Sequence, residues 1–233
     1  MYGELFCKVY NELGWNYYPE AFGEALVSWL SHKGLKPEKV LDLGCGTGVL
    51  CRLLQRQGME AWGMDFSEAM IRIAREADPR GHYEVGDMIT YRPEESFGLV
   101  TCTGDALNHI HNLSDVGRIF DNIAAYLAPG GYLIFDTLKE SEATAGEPFD
   151  IDFDENLHVW FQITKPEERE ILLTVKAWEK GSFAFEEQIR ETVHDPEVLC
   201  QMLTERGFQI ERCSDSLEDE GGHSTTCYII ARR

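Results

Sequence analysis

No run of about 18 consecutive apolar residues occurs anywhere in the chain, so no membrane-spanning helix is expected. Basic residues are scarce: 21 Lys and Arg stand against 41 Asp and Glu, a formal net charge of −20. A nucleic-acid binder offsets phosphate charge with cations, and this balance does the reverse, so no DNA or RNA partner is expected. The seven cysteines (Cys7, Cys45, Cys51, Cys102, Cys200, Cys213 and Cys227) include no CxxC pair. An odd, dispersed set argues for reduced thiols in the cytoplasm and against a disulfide frame. It also argues against a zinc site, and no metal is expected. The opening MYGELFCKVYNELGW lacks a basic start followed by an apolar run and does not read as a secretory signal.

What is present is strand–helix alternation. Phe22, Leu26, Trp29 and Leu30 predict a helix from Pro19 to His32, closed by Gly34. KVLDLG then reads as a buried strand, GVLCRLLQRQG as a helix and EAWGMD as a second strand. Ser67 is placed to cap the next helix. HYEVGD and FGLVTCT follow as strands, a helix capped by Ser114 comes next, and PGGYLIFDT is a fifth strand. Such alternation predicts an α/β fold with a parallel sheet covered on both faces.

The pattern changes after the fifth strand. LHVWFQIT, REILLTVKAWEKG and FAFEEQIRETVH read as three antiparallel strands joined by turns at KPEE and KGS. The acidic KESEATAGEPFDIDFDEN before them reads as a mobile connection. Asp195-Pro196 starts another helix, and FQIERC and TTCYIIARR end the chain as strands. The expected organisation is a core over residues 1–138, with an N-terminal helical segment, a small antiparallel β cap over 139–194, and the rest of the core over 195–233.

The most informative stretch is VLDLGCGTG, Val40 to Gly48. Glycines just after a strand allow a sharp turn into a helix and let a ligand approach backbone without a Cβ in the way. The dinucleotide fingerprint G-x-G-x-x-G fails at Val49, and the P-loop lysine is missing. The string h-h-D-h-G-x-G-x-G instead resembles motif I of class I S-adenosylmethionine-dependent methyltransferases.

That resemblance implies a Rossmann-like, doubly wound, seven-stranded sheet of order 3-2-1-4-5-7-6 with its last strand antiparallel. It implies S-adenosyl-L-methionine as cofactor. Gly44, Cys45, Gly46 and Gly48 would form the floor of the pocket. Asp65, with Phe66 and Ser67, would meet the ribose, and Asp87 and Met88 the adenine. Asp42, Asp105 and the faces of Tyr10 and Tyr18 would suit the positive sulfonium and ammonium, and Thr103 would lie beside the methionine half. The aromatic-rich opening resembles segments that close over the cofactor in small-molecule members of the class. The [DNS]-P-P-[YFW] motif of nucleic-acid base methyltransferases is absent, CTGD standing in its place. The expected reaction is therefore methyl transfer to an O or N of a small molecule, the alternatives being a non-catalytic regulatory module that binds S-adenosylmethionine or S-adenosylhomocysteine, or a protein or RNA methyltransferase. Asp105, His109, His111 and His194 are candidate bases. One face of the cap is placed to cover the acceptor or a second copy of the chain in a homodimer.

Overall fold

The computed structural model describes residues 3, 6, 7, 10, 11, 14–139, 145–152, 155–217 and 226–233. The spacing of Phe22, Leu26, Trp29 and Leu30 buries one stripe of α1 (Tyr17–His32). This helix starts two residues before Pro19, which its first turn tolerates. Then follow β1 (Lys39–Leu43), α2 (Val49–Arg56), β2 (Glu60–Asp65), α3 (Glu68–Ala77), β3 (His82–Val85) and β4 (Phe97–Cys102). A 3-10 turn (Ala106–His109) leads into α4 (Leu113–Tyr126) and β5 (Leu127–Leu138). After four further strands, β6 (Phe149–Asp152), β7 (Leu157–Thr164), β8 (Glu170–Glu179) and β9 (Ser182–Thr192), come α5 (Pro196–Glu205), β10 (Gln209–Ser214) and β11 (Thr226–Arg232).

The main sheet has the order β10-β11-β5-β4-β1-β2-β3. Only β11 runs against its neighbours β5 and β10; the other pairs are parallel. This is the expected doubly wound order, β10 and β11 being the sixth and seventh core strands. The two-residue period of each strand sends alternate side chains to two cores. Leu41, Leu43, Val100 and Phe135 pack toward Val116 and Ile119 of α4 and Leu199 and Leu203 of α5. Val40, Leu99, Ile134 and Ile230 pack toward Leu26 and Leu30 of α1 and Leu50 and Leu54 of α2.

The cap is a sheet of four strands, not three, in the order β6-β7-β8-β9. Its edge strand β6 lies in the stretch read from sequence as a mobile connection, of which 140–144 and 153–154 fall outside the described residues. The acids there masked a period-two pattern, Phe-Asp-Ile-Asp. Phe149 stacks on Phe161 with centroids 5.2 Å apart, while Asp150 and Asp152 reach His158 at 3.2 and 2.7 Å. Lys180 and Gly181 both take positive φ, 50° and 76°, and close a two-residue hairpin between β8 and β9.

The cap's inner face packs on the N-terminal segment. Phe6 is fully buried among Val159, Phe161, Val175, Ala177 and Ile189, with Tyr10 and Trp15 against the same cluster. Trp15 lies 5.1 Å from Phe6 and 6.3 Å from Phe161, centroid to centroid. The cap's buried aromatic pattern is thus satisfied largely by the chain's own opening residues.

One helix cap differs from expectation. Ser114 lies inside α4, and Asn112 caps it by accepting from the Asp115 N–H at 2.9 Å. The Ser114 hydroxyl merely donates to the Asn112 side chain. Asn112→Ala is therefore expected to cost about 1 kcal/mol in urea denaturation, and Ser114→Ala clearly less; the reverse order would contradict this assignment.

Candidate active site

The carboxyl ends of the central strands meet beneath α1. Asp42 pairs in register with Gly63 on one side and Thr101 on the other, and Thr101 pairs with Ile134. Counting two residues along β2 and β5 brings Asp65 and Asp136 to the same sheet face as Asp42. Three carboxylates therefore line one face at the strand ends. Asp42 is 4% exposed and Asp136 0%.

Their partners among the described residues are neutral donors. The Thr101 hydroxyl donates to Asp42 Oδ1 at 2.8 Å. Asp65 accepts from the Gly46 N–H at 2.9 Å and the Ser67 N–H at 2.8 Å. Asp136 accepts from the Gly104 N–H at 2.9 Å, the Asp105 N–H at 3.1 Å and the Tyr18 hydroxyl. Burial pushes Asp42 up to about 7, helped by the charges of Asp65 and Asp136. Burial likewise pushes Asp136 to about 6 and raises Asp65. A cation placed against this face would relieve all three.

The glycine loop borders the row. Gly48 takes φ +75°, and a Cβ there would lie 2.7 Å from the Tyr83 ring, so both conformation and space demand glycine. Gly46 also takes positive φ, +53°, but its missing Cβ faces no atom within 4 Å. This is the open front of the loop, and the Gly46 N–H beside it is anchored by Asp65. The Gly44 N–H donates to the Met64 carbonyl at 2.7 Å, fixing the loop to β2. Cys45 is buried, with its thiol against Gly63 in the core, so only its backbone borders the loop's open side.

The other residues named from sequence surround this front. Phe66 is 55% exposed just past Asp65. Ser67 caps α3 by accepting from the Met70 N–H at 3.3 Å. Asp87 shapes its own turn, accepting from the Ile89 N–H at 2.9 Å. Met88 packs against the first core, with its methyl 4.0 Å from where a Gly44 Cβ would sit. Thr103 is half-buried after β4. Tyr10, packed edge-on against Phe6 and Trp15, is pushed up to about 12 by burial and then by the charges of Asp65 and Asp105. Tyr18 reaches the row from α1. Its hydroxyl is committed to Asp136, 3.1 Å from the Tyr228 hydroxyl, and its ring packs on Gly104.

Asp105, at positive φ (61°), begins the 3-10 turn. Its carboxyl is raised well above the usual range by burial, then by Asp136 and Glu191. His109 Nε2 lies 4.0 Å from Glu191 Oε1. Burial lowers His109 to about 4 and raises Glu191, whose side chain is 16% exposed, to about 7. These three gather where the core meets β9. His194 does not join them through its ring: its Nε2–H donates to the Ile110 carbonyl at 2.7 Å. With His111, Arg169 and Asp195 it lines a cavity of about 180 Å³.

Four residues of this region were missed in the sequence. Asp136 and Glu191 lie in strands read only for their pattern. Asn108, fully buried, donates to the Thr137 hydroxyl at 3.1 Å and the Thr192 carbonyl at 2.8 Å, tying the core to the cap. Asn11 accepts from the Thr47 hydroxyl at 3.2 Å, tying the N-terminal segment to the glycine loop. A polar residue inside an apolar strand, as in LIFDT, was the available signal for Asp136.

The raised carboxyls fix the sign of a pH effect. The folded chain holds more protons on Asp42 and Asp136 than the unfolded chain does between about pH 4 and 7. Their contribution to stability is thus complete below the unfolded pKa and lost as pH rises through that window. Asp42→Asn removes one such titration. Its urea midpoint, relative to wild type, should shift in the variant's favour between pH 5 and pH 8; a constant gap would contradict the burial of this charge.

Comparison with known proteins agrees with this geometry. A family model described as "Methyltransferase domain" matches residues 15–212. A protein of Geobacillus sp. (strain WCH70), named a methyltransferase, is 26% identical over 239 residues, covering 97% of this chain and 96% of its own. The fold is shared with an S-adenosylmethionine-dependent methyltransferase from Clostridium acetobutylicum ATCC 824, with TM-score 0.80 at 19% identity over 90% of this chain and 89% of that one. It is also shared with S-adenosylmethionine-bound CalS10 from Micromonospora echinaspora, an amino pentose methyltransferase, with TM-score 0.77 at 18% identity over 100% of this chain and 98% of that one. The chain belongs to the methyltransferase-domain family and has the fold of S-adenosylmethionine-dependent methyltransferases.

Proposed function

We propose that the chain methylates an oxygen or nitrogen of a small molecule, with its cofactor held along the glycine loop and the carboxylate row. The observation that carries this reading is the row of three acids, Asp42 and Asp136 buried and Asp65 half-buried, whose partners among the described residues are neutral donors, beside the open front of Gly46. S-adenosylmethionine supplies an activated methyl group on a positive sulfur, next to an ammonium. Both charges suit this face.

Asp65 plays two parts. Each of its oxygens takes one backbone N–H, which leaves a second lone pair on each for the ribose hydroxyls. Gly44, Gly46 and Gly48 give close approach, Phe66 and Ser67 continue the ribose side, and Asp87 and Met88 border the adenine. Asp42 and Asp136 supply negative field from below, and Asp136 also sets the loop that carries Thr103 and Asp105. Tyr10 closes the pocket from above, with Asn11 holding Thr47.

The acceptor belongs on the side of Asp105, His109 and Glu191. His109 is kept neutral near pH 7 by burial, so it faces the acceptor side in the form a base needs, while its lowered pKa makes it a weak one. Such help is typically worth about 10²–10⁴-fold. Fixing the acceptor in line with the methyl group is worth an effective concentration of about 10⁵–10⁸ M, so positioning dominates. The closure of the N-terminal segment onto the cap favours a small acceptor, and the end-to-end likeness to CalS10, which acts on an amino pentose, supports the same size class. None of the seven cysteines is in a disulfide, in keeping with a cytoplasmic setting. No helix among the described residues is long and apolar enough to cross a membrane.

Calorimetry with S-adenosylmethionine tests the cofactor assignment. Asp65→Ala should weaken binding about 10–100-fold, since a hydrogen bond to a charged group is worth about 1.5–3 kcal/mol. Unchanged affinity would remove Asp65 from the site, and no binding by the wild type at millimolar ligand would overturn the proposal.

A further inference from the structure

Three thiols meet at the far edge of the main sheet, in residues the methyl-transfer reading does not use. Cys213 on β10 and Cys227 on β11 have their sulfurs 3.5 Å apart. Cys213 pairs in register with Ile229, two positions along from Cys227, so both side chains leave the same sheet face. Ile229 packs with Leu199 and Leu203, which identifies that face as the one α5 covers. From α5, the Cys200 thiol hydrogen-bonds to Cys213. Cys213 is exposed, whereas Cys227 is buried, so the pair has one member open to solvent and one held behind it.

We infer that Cys213 and Cys227 are a reversible oxidation site that closes to a disulfide on meeting a hydroperoxide. The Cys213 thiolate attacks one peroxide oxygen and the O–O bond breaks. Cys213 becomes a sulfenic acid, and the departing oxygen leaves as water once protonated. The Cys227 sulfur then attacks the Cys213 sulfur, the S–S bond forms, and hydroxide leaves to take up the Cys227 proton as a second water. Two thiols lose two electrons, and one hydroperoxide gains them.

Three features favour this pair. The solvent-facing thiol is the one that must attack first. Hydrogen bonding with the neighbouring thiols of Cys200 and Cys227 lowers the pKa of Cys213, against partial burial and the charge of Asp215, and this favours the nucleophilic thiolate. The second sulfur is already adjacent, so the sulfenic acid is captured before further oxidation. Closure from 3.5 Å to a bonded distance of about 2.05 Å must move the backbone at Cys227. Its neighbour Tyr228 points to the opposite face, where its hydroxyl meets that of Tyr18, which in turn holds Asp136. Oxidation at the edge therefore loosens the loop that Asp136 fixes at Gly104 and Asp105.

The test uses the reduced full chain and hydrogen peroxide, read by intact mass, peptide mapping and amide exchange. The expected result is loss of two hydrogens, a Cys213–Cys227 linked peptide and recovery with dithiothreitol. Cys200→Ser should still form the link, and the double variant Cys200→Ser with Cys227→Ser should stop at a sulfenic acid trapped by dimedone. Amide exchange at Gly104 and Asp105 should speed up several-fold in oxidised wild type. Oxygen addition to Cys213 without a link, or a link to Cys200 instead, would overturn the pair. Unchanged exchange at Gly104 and Asp105 would overturn the coupling. None of these readouts requires a cofactor or an acceptor, so the outcome is separate from that of the methyl-transfer proposal.

Discussion

Placing three carboxylates on one sheet face, with no compensating cation among the described residues, is the constraint around which this structure is arranged. Burying an unpaired charge is costly, and a protein ordinarily neutralises it or pairs it. Here the cost is met partly by hydrogen bonds from neutral donors and partly by protonation, which keeps Asp42 near neutrality in the ligand-free chain. A positive ligand offsets the remainder. The face is thus strained toward cations before anything is bound, which is the electrostatic preference a sulfonium cofactor needs.

The surrounding elements make sense as supports for that face. Asp65 joins β2 to the glycine loop and to the start of α3 in a single side chain. Asp136 joins β5 to the loop after β4 and, through Tyr18, to α1. Asn108 carries the connection on to β9 of the cap. The N-terminal segment closes the other side, with Phe6 and Trp15 seated on the cap and Asn11 on the glycine loop. Each link is a hydrogen bond or an apolar contact between segments distant in sequence, so the pocket is assembled only when both sheets are in place.

Much of this was legible beforehand. Strand–helix alternation announced a parallel α/β sheet, its doubly wound order followed from the resemblance carried by the glycine motif, and the glycine loop announced its pocket because backbone at positive φ leaves a direct mark on the sequence. Ser67 and Pro196 marked helix starts for the same local reason. The rest depends on tertiary register. Asp136 and Glu191 are single polar residues in strands, and nothing nearby in sequence tells which face they join. The bond from the Tyr18 hydroxyl to Asp136 was not legible because the two lie 118 residues apart. β6 was hidden by its own acids, which read as a solvated connection until His158 is seen between them. Asn112 displaced Ser114 as a cap because both are good caps two residues apart, and only the backbone geometry chooses.

The most direct test of the central claim is a carboxyl-carbon NMR titration of Asp42 with and without bound S-adenosylmethionine. The account predicts a midpoint near 7 in the free protein and a clear fall when the sulfonium is present, with a smaller fall for the uncharged thioether product. A midpoint in the ordinary carboxylate range for the free protein, or one that does not move on binding, would contradict it.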